Sequence, residues 1–274
     1  MTPLIASLIR HAASDATPLE HAIRAVDLIS EMHASLRTLA VAGALPAGAL
    51  APLPPTVDLT TAALAPHGPW LRMWLPWLRG LASLCVVSRN AVRDAAIVAL
   101  QRALLHPDVR SEPAEVWAAA FEGVVFPMLA EVLHRSVGGE LDDERLMLRA
   151  VTLLSKGLLH HLAGLLSLPT FSLLWLRALE LLQSYTHAPN NELLLEAVPE
   201  TLKNMLLVMA TAGAFDATGP PGTGEQSLAS ITKAVIEGFC PELTAAPDVA
   251  QIWGGVPAAP AEAAEGGTVP AEAA

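Results

Sequence analysis

From residue 68 to residue 213 the apolar side chains recur at three- and four-residue steps, interrupted only by breaks as short as HPDVRSEP, SVGGELDD, SLPT and THAPNN. That rhythm belongs to amphipathic helices, because strands would need strict alternation. Breaks this short send each helix back along its predecessor, so consecutive helices are expected to pack as antiparallel neighbours. The pattern predicts helices over 68–87, 89–106, 112–136, 141–167, 170–187 and 191–211. Composition agrees: Leu and Ala dominate, aromatics are 4% and β-branched residues are scattered, which leaves little material for sheet.

The predicted helix over 170–187 carries Phe171, Leu174, Trp175, Ala178, Leu182 and Tyr185 on one stripe, with Leu173, Leu176 and Leu181 off it. A helix in the middle of a stack is covered on two sides and needs such a second apolar surface. The segment SRNAVRDAAIVALQRAL, residues 88–104, has the Val-Arg, Ala and Leu spacing common in the inner helix of HEAT-type repeats. No fixed repeat length can be read from the chain. The fold class that follows is all-α: an irregular α-solenoid or helical-hairpin array, HEAT-like or tetratricopeptide-like.

The array has flanks. Residues 18–42 interleave Leu19, Ile23, Val26, Ile29, Met32 and Leu36 with Glu20, Arg24, Asp27, Glu31 and Arg37, an amphipathic helix. Residues 1–42 are therefore expected to be an N-terminal helical segment, 43–67 a Pro/Gly/Ala-rich linker, and 68–215 the main helical-repeat domain. A Gly/Pro loop over 216–226, a weak terminal helix over 227–241 and a disordered tail over 242–274 complete the expected organisation.

A net charge of −11 opposes the phosphate attraction behind most non-specific nucleic-acid binding, so nucleic acid is excluded as a partner. The start, MTPLIASLIRHAASD, lacks the features of a secretory signal, and the two cysteines, Cys85 and Cys240, stand far apart; a reducing, cytoplasmic location is expected. The apolar stretch GLLHHLAGLLSLPTFSLLWL, residues 157–176, is long enough to test as a membrane span. His160, His161 and Pro169 fall inside it and read instead as one helix stopping and another starting.

No spacing promises chemistry. GPPGTGEQS, residues 219–227, mimics a phosphate-binding loop, but Glu225 stands where the phosphate-binding Lys must be and Gln226 where the Mg²⁺-ligating hydroxyl must be. His160 and His161 are adjacent and diverge on a helix, which is no metal-ligand spacing. Asp142, Asp143 and Glu144 precede an apolar run, where acidic residues favour a helix start. No catalytic, metal-ligating or cofactor-binding residue is expected, and no cofactor. Trp70, Trp74 and Trp77 share one helical stripe that Pro76 should bend or shorten, and residues 68–106 carry five arginines, Arg72 and Arg79 among them, against Asp94 alone. Two readings stand: Trp anchors in the core with solvated Arg at the rim, or a surface for an acidic partner or an anionic membrane.

Four blocks carry a resemblance to a known family: NAVRDAAIVALQRALL (90–105), FEGVVFPMLAEVL (121–133), RAVTLLSKGLLHHLAGLLSLPTF (149–171) and LWLRALELLQSYTHAPNNELLLEAVPETLKNMLLVMATAGAF (174–215). The last is the most specific, above all in AVPETLKNMLLVM, and VDLISEMH at 26–33 fits the segment just upstream. Together they resemble the C-terminal helical region of the large Golgi-specific brefeldin A-resistance guanine nucleotide exchange factors for Arf GTPases, with their plant and yeast relatives. The resemblance implies helical repeats that govern recruitment and regulation in Golgi vesicle-mediated transport, with protein partners and a peripheral Golgi location. It also implies that the exchange domain lies upstream, so that this chain is a piece of a longer exchange factor and not itself an enzyme. The alternative is a peripheral membrane or protein-interaction module unrelated to Arf.

Overall fold

The computed structural model describes residues 3–41, 68–141, 143–188, 192–216 and 226–254, and among them there is no β-strand. The helices are α1 (Pro3–Ala13), α2 (Leu19–Val41), α3 (Gly68–Leu84), α4 (Asn90–Leu104), α5 (Ala114–Ala120), α6 (Phe126–Val137), α7 (Glu144–His160), α8 (Leu162–Leu165), α9 (Phe171–Thr186), α10 (Glu192–Thr211), α11 (Leu228–Glu237), α12 (Pro241–Ala245) and α13 (Pro247–Ala250). The expected linker over 43–67 lies outside the described residues, as does nearly all of the phosphate-loop look-alike.

The helices form two rows. One row runs α2, α4, α7, α10, each packed on the next, and the other runs α1, α3, α5–α6, α9, α11. Within hairpins α1 lies on α2, α3 on α4, α6 on α7 and α9 on α10. This is a solenoid of helical hairpins, in which each unit buries its face against the neighbouring unit. A single apolar core follows it from Ile5 to Val249. The pairs are unequal, with 11 and 23 residues in the first and 16 and 20 in that of α9 and α10, which is why no repeat length shows in the sequence.

Helix α9 buries its predicted stripe of Phe171, Leu174, Trp175, Ala178, Leu182 and Tyr185. Of the apolar residues off that stripe, Leu181 is also buried but Leu173 stays exposed. Its polar atoms tie it to both neighbours: Trp175 Nε1 donates to Thr232 Oγ1 of α11 (2.9 Å) and Tyr185 Oη to the Leu129 carbonyl of α6 (2.8 Å).

The structure departs from the sequence reading in three places. The predicted helix over 141–167 divides at His161, whose backbone (φ −104°, ψ 6°) leaves α-geometry while its ring reaches the Leu104 carbonyl. Helix α3 runs through Pro76 and ends at Leu84, short of the predicted 87; Pro76 has no N–H for the carbonyl of Arg72, an exposed residue. The tail is not unstructured from residue 242: α12, α13 and a 3₁₀ turn (Gln251–Trp253) pack there, burying Leu243 and Val249, with Lys203 on α10 paired to Asp248 at 2.8 Å. That tail has little apolar residue content, but the few large side chains fall where α10 and α11 offer a surface. The remainder, 255–274, lies outside the described residues.

One helical rod, Ala114–Val137, has the length and hydropathy of a membrane span, yet most of it is buried within the protein's own core. The apolar stretch 157–176 crosses the end of α7, all of α8 and the start of α9, so it is not one helix.

Candidate functional site

The acidic cluster at the start of α7 serves the backbone. Asp143 Oδ1 accepts the Leu146 amide at 3.0 Å, satisfying one of the free N–H groups of the first turn. Glu144 reaches the start of α10, where Oε1 accepts the Leu193 amide at 2.6 Å. Asp142 lies outside the described residues. The other oxygen of Asp143 holds Arg93, which is 3% exposed and also donates to the Val87 and Ser88 carbonyls and to Asn90 Oδ1. This buried ion pair fastens the α3–α4 turn to α7; both terminal nitrogens of Arg93 are hydrogen-bonded, while its buried Nε has no partner among the described residues.

The tryptophan stripe of α3 faces inward. Trp70, Trp74 and Trp77 are 6%, 1% and 0% exposed, so the reading in which they meet an anionic membrane surface is corrected: they belong to the core. At Trp74 and Trp77 the indole N–H groups explain the choice of Trp over Phe, whereas the buried Nε1 of Trp70 has no partner among the described residues. Trp77 Nε1 donates to the Ile29 carbonyl at 3.0 Å and Trp74 Nε1 to His33 Nε2 at 3.1 Å, both across to α2. Of the two arginines assigned to that surface, Arg72 is exposed. Arg79 is half-buried and donates through Nε to the Gly123 carbonyl at 2.9 Å.

The Gly123 carbonyl is available for a reason written in the sequence. Pro127 has no N–H to donate four residues back, and between α5 and α6 the helix widens into a π turn, Phe121–Val125. Arg79 supplies the missing donor, joining α3 to that turn.

Around Trp74 a cluster forms that no spacing announces. Trp70 stacks on Trp74 (5.5 Å between centroids), Trp117 of α5 meets Trp74 edge-on (5.5 Å), and His161 stacks on Trp117 at 3.3 Å. Arg37 lies 5.6 Å over the Trp70 ring and pairs with Glu112 at 2.7 Å. His161 Nε2 must carry the proton it donates to the Leu104 carbonyl at 2.9 Å. His33 has the opposite tautomer, because Nε2 accepts from Trp74 and the proton therefore sits on Nδ1. Burial lowers the pKa of both imidazoles to about 4, with nearby His106 and Arg37 adding to the effect at His33 and the hydrogen bond to Leu104 opposing it at His161. Both rings are neutral near neutral pH.

Beside His33, between α2 and the end of α4, lies a cavity of about 230 Å³ lined by Ser30, Glu31, His33, Arg102, Ala103 and His106. Sequence reasoning missed it, since its residues come from 30–33 and 102–106 and meet only when the hairpins stack. Among the described residues no three His, Cys, Asp or Glu side chains converge as a metal-binding set. Cys85 is buried and Cys240 half-buried, and neither forms a disulfide.

Two rows of stacked helical hairpins with a continuous core define the class: an α-helical repeat domain. The family described as "GBF1-like, tetratrico peptide repeat region" matches residues 74–243, more than half of the chain, and the chain belongs to that family. It is similar to the Golgi-specific brefeldin A-resistance guanine nucleotide exchange factor 1 homolog of Caenorhabditis elegans, with 34% identity over 219 residues, 80% of this chain. It is similar too to the ARF guanine-nucleotide exchange factors GNOM and GNL1 of Arabidopsis thaliana, at 36% and 33% identity over 52% of this chain. The chain spans 10% of the length of each of these relatives. No solved structure matches the fold.

Proposed function

We propose that this chain is the non-catalytic, regulatory repeat module of an Arf guanine nucleotide exchange factor, acting in Golgi vesicle-mediated transport by binding protein partners. Its place is the cytoplasm and the cytoplasmic face of Golgi membranes. One observation carries the reading: the family match over residues 74–243 falls on the helical repeat region, and the curated relatives that share this region carry exchange-factor names. The chemistry of the interior supports it. The shifted titratable groups at the centre of the molecule, His33, His161, Cys85 and Tyr185, are displaced by burial and serve helix packing, where catalytic sites pair such groups around a substrate cleft.

The partner in this reading is the remainder of the exchange factor or a Golgi recruitment factor. The test immobilises the purified chain and passes over it the purified exchange portion of a family member, together with its other helical regions. Saturable binding to at least one of them is the expected result. Absence of binding to all of them at micromolar concentration contradicts the proposal.

A further inference from the structure

Helices α7 and α10 are neighbours in one row, and each turns a crest to solvent. The two crests are opposite in sign: α7 carries Arg145 and Lys156 there and α10 carries Glu196 and Glu200, all four exposed. None of the four forms an ion pair with a described residue. Charges at the outer edges of the pair are used inside the chain. Arg149 leans toward α4 and pairs with Asp94, and Lys203 leans toward α13 and pairs with Asp248 at 2.8 Å. Leu148 and Leu159 lie across the crest of α7 from Arg149, and Val208 across the crest of α10 from Lys203, so helical spacing sets all three along the α7–α10 seam. Val208 is 37% exposed and the two leucines are half-buried. Glu144 in the first turn of α7 accepts the Leu193 amide in the first turn of α10, so the two helices start level and run parallel.

We propose that this face is an isologous contact between two copies of the chain, with a twofold axis standing on the α7–α10 seam. That axis lays α7 of one copy antiparallel on α10 of the other and repeats the crossing in reverse, so a basic crest meets an acidic one twice. An unrelated partner would need the same alternation of sign, and a second copy has it by construction. Leu148, Leu159 and Val208 meet the same seam of the other copy. At about 0.15 M salt the repulsion between two chains of net charge −11 is largely screened beyond about 8 Å, while contacts at the crossings are closer than that. The 17 residues of α7 span about 25 Å at 1.5 Å per residue. Two helices about 10 Å apart make a face roughly 20 Å wide, so each copy offers on the order of 500 Å². A standard stable complex buries about 800 Å² per partner, so this dimer is a weak one that forms where the chain is concentrated.

The test is sedimentation equilibrium of the full chain from micromolar to near-millimolar concentration. Two variants each reverse one crest: Arg145→Glu with Lys156→Glu, and Glu196→Lys with Glu200→Lys. The wild type is expected to move from the mass of one chain toward that of two. Each variant alone is expected to associate at least about tenfold more weakly, because like charges then meet at both crossings. An equimolar mixture of the two variants is expected to recover association, since every crossing of the mixed pair again joins opposite charges. The substituted positions are exposed, and an unchanged far-UV spectrum shows that each variant keeps the fold. A wild type that stays at the mass of one chain throughout, variants that associate as the wild type does, or a mixture no more associated than its components would each overturn the proposal. The partner-binding test above reads association with other proteins, so failure of either experiment leaves the other's conclusion standing.

Discussion

At the scale of single residues, histidine and tryptophan do work that the sequence does not advertise. His33 and His161 are neutral and buried in the folded chain, whereas in the unfolded chain they titrate near the ordinary value of 6.5. Their folded pKa values, about 4, are depressed, so between the two values the unfolded state binds more protons and stability falls as pH falls. Lowering pH from about 6.5 to about 5 should withdraw on the order of 1–2 kcal/mol for each of them, before most carboxylates protonate. Urea unfolding followed by circular dichroism at the two pH values measures this as a lower midpoint at the acidic one. A stability that is flat across that interval contradicts the assignment of two buried neutral rings.

At the scale of elements, the helices were legible because each has a stripe that only a helix can line up. The stripe of α9 buries as its spacing predicts, and its ends fall within a residue or two of the sequence reading. What escaped the sequence depends on partners far along the chain. The break at His161 is set by the Leu104 carbonyl, 57 residues away, and the docking of α12 and α13 by the surface of α10 and α11. The pairing of Arg79 with Gly123 is of this kind, though Pro127 gives half of it away by removing a donor. Arg79→Ala should leave that carbonyl dependent on water and cost on the order of 1 kcal/mol, read as a lower thermal midpoint, while Arg72→Ala on the exposed side should stay within about 0.5 kcal/mol. Equal effects from the two substitutions contradict the bond's role.

At the scale of the whole molecule, two rows of helices joined through one core make a surface-rich object whose interior is filled by side chains that hold rows together. The tryptophans of α3 illustrate why function was harder to read than fold. Their spacing is the same whether the stripe meets a membrane or a neighbouring helix, and only the hydrogen bonds to Ile29 and His33 decide for the core. The cavity at His33 and Arg102 was not legible at all, since stacking alone brings residues some seventy positions apart onto one wall. Membership of the family rests on the match over residues 74–243, and the chain spans a tenth of the length of the exchange-factor relatives that share this region. The central claim is that this portion regulates without exchanging. Release of a fluorescent guanine nucleotide from purified Arf, followed with and without the purified chain, tests it most directly: the account predicts the spontaneous rate in both, and a clear acceleration that scales with chain concentration would contradict it.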